Sequence, residues 1–362
     1  MDLGLIGLGQ AGKTALFSAL TRGHAHTAGF AATEPSIGVV KIPDERLDKC
    51  AALIKARKVT YAEVRFLDFP GALSVRGEGP AAALLAALSQ CDALVHVVRA
   101  FHDESVPHPD GSVDPARDIA AVNLELTFAD IGVLERRHEK LEIQVRSSRP
   151  GEREAGEREL ALVQRLRAGL EREEPLRAQE LSAEDRKAIS GFQLLSVKPQ
   201  LIVINIDEGE VTRAWEVERD FSLQFGGPGV KVLALCARLE RELAELSDEE
   251  AAEFRNDLGI AESGIERVLG ASNEVLGLIT FLTVGEQEAR AWPLAAGSTA
   301  LEAAGKVHSD IARGFIRAEV IGWDELLASG SYAEARKRGL LRTEGKQYIV
   351  QDGDVLHVLF NV

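Results

Sequence analysis

Short, nearly continuous apolar runs alternate with helical periods along the first 123 residues. Residues 3–6, 37–42, 64–69 and 93–98 predict strands, and the last has the nearly continuous apolar character of a parallel strand covered on both faces. Two further runs, 201–206 and 230–236, predict strands of the same sheet beyond an insertion of about a hundred residues. Within that insertion Ile131, Leu134, His138, Leu141 and Val145 recur at the 3-4-3-4 spacing of a coiled-coil seam, with Leu160, Val163, Leu166 and Leu170 as a second stripe. Arg149-Pro150-Gly151 separates the two and predicts an antiparallel helical hairpin. His138 falls on the seam, where packing explains it without a ligand role. Ser182 with Asp185, and Ser247 with Glu250, match the capping box and predict helix starts rather than nucleophiles. The last eighty or so residues predict strands at 278–284, 290–294, 315–321, 348–351 and 355–360 around a helix near 300–306. Asp352-Gly353 predicts a hairpin between the last two strands. The expected fold class is therefore α/β: a parallel-rich sheet over 1–123 and 199–279, an inserted helical hairpin over 124–198, and a small mixed sheet over 280–362.

Charge adds a polarity to this plan. The 362 residues carry 42 basic and 57 acidic side chains, a net charge of −15, which excludes a protein held to nucleic acid by bulk charge alone. The excess is local: residues 199–279 carry −10, while 1–123, 124–198 and 280–362 carry −2, −1 and −2. Basic clusters at Arg146-Ser147-Ser148-Arg149 and at Arg336-Lys337-Arg338 with Arg342 and Lys346 leave RNA contact open to the hairpin and the C-terminal segment. No apolar run approaches the ~18 residues of a membrane span, and Met1-Asp2-Leu3 lacks the basic start of a secretion signal. A cytoplasmic protein without membrane partners is expected. Cys50, Cys91 and Cys236 lack CxxC spacing and predict reduced thiols. His24 and His26 read as solvated loop residues before they read as a metal pair.

The chemistry starts where the first strand ends. Gly7-Leu8-Gly9-Gln10-Ala11-Gly12-Lys13-Thr14 fits both GxGxxG, a dinucleotide turn, and GxxxxGK[ST], the phosphate loop of nucleoside triphosphatases. A dinucleotide fold also needs an acidic residue at the end of the second strand, and here Glu34 precedes that strand while Asp44 follows it too late. Lys13 and Thr14 supply what triphosphate chemistry requires, an ammonium for the β and γ phosphates and a hydroxyl for magnesium. Asp68-Phe69-Pro70-Gly71 ends the third strand as DxxG, placing a carboxylate toward magnesium and the Gly71 N–H toward a γ phosphate. Asn205-Ile206-Asp207-Glu208 ends the fifth strand where GTPases carry the base-reading NKxD. A GTPase Asp in the fourth place accepts from guanine N1–H and N2–H; here Glu208 is one methylene longer and Ile206 replaces the Lys. ATP is therefore favoured over GTP, with Asp207 as the residue that would serve guanine in another register.

This order of motifs resembles the YchF-type Obg-like ATPase family, a translation-factor-related branch of P-loop proteins, over essentially the whole chain. The similarity runs through the phosphate loop, Glu34-Pro35 with Gly38-Val39-Val40, Pro43-Asp44-Glu45-Arg46-Leu47-Asp48-Lys49, Gly77-Glu78-Gly79, Val113-Asp114-Pro115 and the Asn205 to Glu208 signature. It continues at Cys236-Ala237, in the loop that would close over the base. It is densest at Gly314-Phe315-Ile316-Arg317-Ala318-Glu319-Val320-Ile321 and Val350-Gln351-Asp352-Gly353-Asp354-Val355, which look like the family's ubiquitin-like β-grasp TGS domain. The resemblance implies ATP bound by Gln10, Ala11, Gly12, Lys13, Thr14 and Ala15, by Gly71, and by Asn205, Ile206, Glu208, Cys236 and Ala237. It implies magnesium held by Thr14 and Asp68, slow hydrolysis with Lys13 in the catalytic role, and ribosome association in translation or stress responses.

Four departures bear on the chemistry. Gly9 and Gln10 stand where the family usually has Pro and Asn, and that Asn is tied to a helper potassium ion, so potassium dependence is not implied here. Thr33 sits one place late after Phe30 for the first-switch magnesium ligand. Ala72, after DxxG, has no side chain to orient a water, and the second switch is shorter by about two residues, with Pro80-Ala81-Ala82 in place of a Gly-Asn stretch. The expectation is a divergent ATP binder with weak hydrolysis. The alternatives are a nucleotide-binding scaffold without turnover, a GTPase using Asp207, and, on the glycine overlap alone, a nicotinamide oxidoreductase.

Overall fold

The computed structural model describes residues 1–23, 26–27, 35–71, 73, 82–147 and 149–361. Strands β1 (Asp2–Ile6), β2 (His26–Thr27), β3 (Ser36–Ile42), β4 (Val59–Thr60), β5 (Ala62–Asp68) and β6 (Ala93–Arg99) alternate with helices α1 (Lys13–Thr21), α2 (Glu45–Ile54) and α3 (Ala82–Ser89). Two long helices, α4 (Pro115–Ser147) and α5 (Pro150–Leu170), and short α6 (Ala183–Ile189) separate these from β7 (Gln200–Asn205), α7 (Ala214–Phe225) and β8 (Val230–Leu235). Helices α8 (Ala237–Ala244), α9 (Asp248–Asp257) and α10 (Gly264–Val275) follow. The chain ends with β9 (Leu278–Val284), β10 (Ala289–Ala295), α11 (Ala300–Val307), α12 (Ser309–Arg313), β11 (Phe315–Gly322), α13 (Trp323–Ser329), α14 (Tyr332–Lys337), β12 (Arg342–Glu344) and β13 (Asp354–Phe360).

These elements form two compact units, residues 1–39 with 65–268 and residues 40–64 with 269–362. In the first, one sheet runs β2-β3-β5-β1-β6-β7-β8. Strand β1 lies parallel between β5 and β6, and β6, β7 and β8 continue in parallel. Every residue of β6 and of β7 is buried, the both-face coverage their nearly continuous apolar runs predicted. This is the α/β, P-loop-type sheet expected from the sequence, and all its parallel strands end on the side where the motifs lie.

The insertion is helical. Leu134 and Leu141 of α4 are fully buried against Val163, Leu166 and Leu170 of α5. An Arg137–Glu159 ion pair at 2.5 Å and a His138–Gln164 hydrogen bond at 3.0 Å cross the seam in antiparallel register. His138 is thus a polar seam residue with a partner on the facing helix. Helix α4 begins at Pro115, so the boundary drawn at residue 124 falls inside it. Its first turns pack Val122 and Leu126 with Ile6, Leu8 and Leu94 of the sheet core. The buried Asp130 carboxylate accepts from Leu195 N, Ser196 N and Ser196 Oγ at 2.8, 2.7 and 2.6 Å. That bond set fixes the end of the insertion to α4, and Leu126 and Leu195, both packed in the sheet core, join residues 124–198 to the nucleotide segment as one unit. Both Ser182 and Ser247 form the capping boxes their spacing predicted.

In the second unit β9 and β10 form an antiparallel hairpin, α11 crosses, and β13 returns parallel to β9 with β11 and β12 beyond it. Two features differ from the sequence reading. Residues 40–64, placed there with the nucleotide segment, pack in this unit: Leu47, Cys50 and Ala51 of α2 are buried with Leu282, Ala289, Ile321 and Leu326, and β4 extends the sheet beside β10. Residues 348–351 are not a strand. Ala300 N donates to Tyr348 O at 2.8 Å and Val350 N to Ser298 O at 3.0 Å, so this stretch is tied to the start of α11. Asp352-Gly353 accordingly turns without joining two paired strands, and its Asp354 neighbour accepts from Gln351 N and Tyr348 Oη.

A buried histidine makes acid stability predictable. His96 of β6 is 1% exposed and its Nδ1 lies 3.2 Å from Gln200 Nε2. Burial, with Lys13 and Arg177 nearby, pushes its pKa from 6.5 down to about 3. The unfolded chain gains a proton below pH 6.5 that the folded chain refuses until about pH 3. Stability is intact above the first value and falls through that window, by about 2 kcal/mol at pH ~5. Urea unfolding of His96→Gln at pH ~7 and ~5 is expected to show that much less acid sensitivity than the parent; equal sensitivity refutes the assignment.

Candidate functional site

The phosphate loop leaves β1 and enters α1 at Gly12. Gly7 has φ +144° and a Cβ there would lie 2.3 Å from Val97 O; Gly12 has φ +95° and a Cβ would lie 2.2 Å from Asn205 Nδ2. Both positions therefore exclude a side chain. Exposed Gln10 holds a left-handed φ of 62° without being glycine. Lys13 Nζ donates to the carbonyls of Gly7 and Leu8 at 3.1 and 2.9 Å. Desolvation lowers its pKa, opposed by the Asp68 charge.

Thr14 Oγ1 donates to Asp68 Oδ2 at 3.0 Å. Burial raises the Asp68 pKa against the Thr14 bond and the Lys13 charge. Gly71 follows at φ +100°, and residues 9–15, Ser36 and residues 68–71 line one cleft. Hydroxyl and carboxylate meet at the amino end of α1, where backbone N–H groups converge.

A second cavity adjoins it, sharing Gly12 and Ala15 and lined by residues 101–103, Val106, residues 205–208, Cys236, Arg238 and Arg241. The two ends are joined by Asn205, 4% exposed: its Nδ2 donates to Ala11 O at 3.0 Å and its Oδ1 accepts from Ala237 N at 2.9 Å. Ile206 is buried, and Asp207 Oδ2 accepts from His102 N at 3.1 Å. Glu208 opens a 3₁₀ turn and faces Arg238 at 3.4 Å. Cys236 is the N-cap of α8, and burial raises its thiol pKa.

The structure thus gathers Gln10, Ala11, Gly12, Lys13, Thr14, Ala15, Asp68 and Gly71 at one end and Asn205, Ile206, Glu208, Cys236 and Ala237 at the other. Thr33, Ala72 and His24 lie outside the described residues, and of His26 only the backbone is described. Sequence reasoning missed Phe101, His102, Asp103, Val106, Arg238 and Arg241. The available signal was position, since residues 101–106 follow the carboxyl end of a central parallel strand, where α/β sheets bind ligands.

Two other clusters are accounted for without a ligand. His108, Asp110 and Asp118 bring ligand-type atoms within 4.8 Å. Both ring nitrogens are engaged, however: Nε2 with Asp118 Oδ2 at 2.8 Å and Nδ1 with Asp110 N at 3.1 Å, while Arg117 pairs with Asp118. In the C-terminal unit Arg336 pairs with Glu319 at 2.6 Å, and Arg338 and Lys337 with Glu334 at 3.1 and 3.8 Å. That basic cluster is partly balanced by its own acids, though such exposed pairs are weak and open easily.

Comparison with known proteins fits this geometry. Residues 2–134 match the MMR_HSR1 family model, described as a 50S ribosome-binding GTPase, and residues 278–361 match YchF-GTPase_C, described as a protein of unknown function. The chain is 40% identical to the ribosome-binding ATPase YchF of Bacillus subtilis, covering 100% of both proteins. It is 38% identical to that of Haemophilus ducreyi and 37% to that of Escherichia coli O157:H7, with 99% of each chain covered. A solved structure of the Schizosaccharomyces pombe YchF GTPase superposes with a TM-score of 0.84 at 26% identity, covering 99% of this chain and 97% of that one. With full-length identity of this order and the phosphate loop, DxxG and Asn205 motifs at the ends of the strands, the chain belongs to the YchF family.

Proposed function

We propose that the protein binds ATP across the two joined cavities and hydrolyses it slowly while associated with ribosomes. The observation that carries the reading is Asn205, whose amide links Ala11 of the phosphate loop to Ala237 beside the second cavity. Triphosphate lies along residues 10–15 at the amino end of α1, where main-chain N–H groups meet anionic oxygens. Lys13 exchanges the Gly7 and Leu8 carbonyls for the β and γ phosphates, replacing neutral acceptors with charged ones. Adenine enters the second cavity, where Glu208 offers an acceptor to N6–H.

Magnesium fits the donor set, one hydroxyl and one carboxylate oxygen already 3.0 Å apart. Thr14 and Asp68 would hold it, and bound there it supplies charge neutralisation to the phosphates. Thr33, one place late for the family's first-switch threonine, is the further ligand in this reading. Potassium is left out of the reading because Gln10 stands where the family has Asn. Ala72 provides no group to orient the attacking water, which makes the turnover slow, below ~1 per second in the isolated protein.

Ribosome association rests on the names of the full-length relatives. The helical hairpin and the C-terminal unit, read as a TGS domain, are the parts proposed to make that contact. The −10 carried by residues 199–279 repels RNA phosphates from that segment. A titration with ATP, GTP and NADH in magnesium, followed by co-sedimentation with ribosomes in ATP and in ADP, tests both halves. ATP binding no tighter than NADH overturns the first half, and a protein that stays in the supernatant under both nucleotides overturns the second.

Glu208→Asp tests the base reading on its own. Asp207 is held by His102 N, which leaves Glu208 to face the base. Shortening it should lower the preference for ATP over GTP about tenfold. Competition binding that returns the parent ratio would remove Glu208 from the base contact.

A further inference from the structure

Arg99 closes β6 opposite Asn205 of β7 and is 2% exposed. Its Nε donates to Phe101 O at 3.2 Å and its Nη2 to Asp103 O at 3.3 Å, and its guanidinium lies 4.5 Å from the centre of the Phe101 ring. Its Nη1 is buried with no hydrogen-bond partner among the described residues. Ala100 N and Phe101 N both donate to Asn205 O, at 2.9 and 3.0 Å. His102 N is held by Asp207. The turn after β6 is thus held by two side chains, Arg99 at the end of β6 and Asp207 just past the end of its parallel neighbour β7. That turn presents Phe101, His102 and Asp103 to the second cavity.

Burying a guanidinium with one amino group unpaired is a poor way to fill a core position, because an apolar side chain would pack there without the desolvation cost. What Arg99 adds over such a side chain is two donors aimed at the carbonyls of the turn. We infer that Arg99 is a positioning residue for nucleotide binding, holding the 101–103 wall of the base cavity in its bound shape, with Asp207 as the second strut. The inference rests on the ATP reading above. A preformed wall lowers the cost of ordering on binding. Because the wall faces the base end, ATP and ADP gain equally and the chemical step gains nothing.

The test uses full-length protein with Arg99→Met and Asp207→Ala, the latter at a more exposed position that keeps the variant folded. Dissociation constants for ATP and ADP, kcat at saturating ATP, and hydrogen exchange of the 101–106 amides are read together. Each variant is expected to weaken ATP and ADP alike by about tenfold, with kcat within about twofold and faster exchange confined to the turn. The double variant should lose less than the product of the two, since both struts hold one wall. Unchanged affinity in a folded variant, or a fall in kcat without a fall in affinity, overturns the inference. Should Arg99→Met fail to fold, Asp207→Ala alone decides between these outcomes. A parent protein that binds neither nucleotide overturns the ATP reading itself.

Discussion

Lys13→Ala is expected to lower ATP turnover by about 10³-fold while leaving the fold intact. The ammonium is half-buried at the mouth of the phosphate loop, and its bonds go to two main-chain carbonyls, Gly7 O and Leu8 O. Gly7 and Leu8 are buried, so leaving their carbonyls without the ammonium costs about 1–3 kcal/mol, which a folded variant can bear. The ammonium's loss to catalysis is larger because it acts where charge spreads over the γ phosphoryl oxygens and water is partly excluded. Desolvation lowers the Lys13 pKa and Asp68 opposes that shift. Removing Lys13 therefore leaves the Asp68 carboxylate and the triphosphate facing each other without their shared counter-charge. Lys13→Arg should recover little, since a planar fork cannot follow the loop as a point charge on a flexible stem does. Phosphate release at saturating ATP, ATP affinity and thermal unfolding of the variant form the check. Turnover within about threefold of the parent, in a folded variant, would remove Lys13 from the reaction.

How much of this could be read in the sequence follows from how local each feature is. The phosphate loop, the shared magnesium role of Thr14 and Asp68 and the place of Asn205 in the site come from short strings at strand ends, whereas the bonds of Asn205 to Ala11 and Ala237 are visible only in the structure. The α4–α5 seam was legible because the spacing of Leu134, His138 and Leu141 names the buried face and the partner stripe lies next in sequence. Helix α2 shows the limit. Leu47, Cys50 and Ala51 declare a buried face, but nothing local says that it meets Leu282, Ile321 and Leu326, more than two hundred residues away. Residues 348–351 were misread because Tyr348-Ile349-Val350 carry strand-favouring side chains and an extended backbone bonded to a helix start alternates buried and exposed positions as a ladder strand does. Arg99 carried no signal, since a charged residue ending an apolar run reads as a strand cap and only the structure shows it buried.

The bridge that Asn205 makes between the two ends should be the most sensitive point of the binding site. Asn205→Ala is expected to weaken ATP binding by about 10²-fold and to destabilise the first unit by about 3 kcal/mol. Its amide uses one donor and one acceptor, to Ala11 O at 3.0 Å and from Ala237 N at 2.9 Å, and the residue is 4% exposed. Truncation strands Ala11 O and Ala237 N, both on buried residues, and each buried unpaired group costs about 1–3 kcal/mol. Binding suffers beyond stability because the two partners belong to different loops. Ala11 sits in the phosphate loop and Ala237 opens α8 beside Cys236, so without the amide the phosphate and base contacts lose their common frame. Asn205→Asp separates the terms: it keeps the acceptor for Ala237 N and replaces the donor to Ala11 O by a repelling oxygen. It should lose ATP affinity as severely as Asn205→Ala through the phosphate loop alone. Gly12→Ala perturbs the same contact from the other side, since its methyl would lie 2.2 Å from Asn205 Nδ2. Calorimetric titration with ATP and urea unfolding of the three variants should rank them together, all far below the parent. Asn205→Asp with parent-like affinity would show that the Ala11 bond is dispensable and that the two ends of the site bind independently.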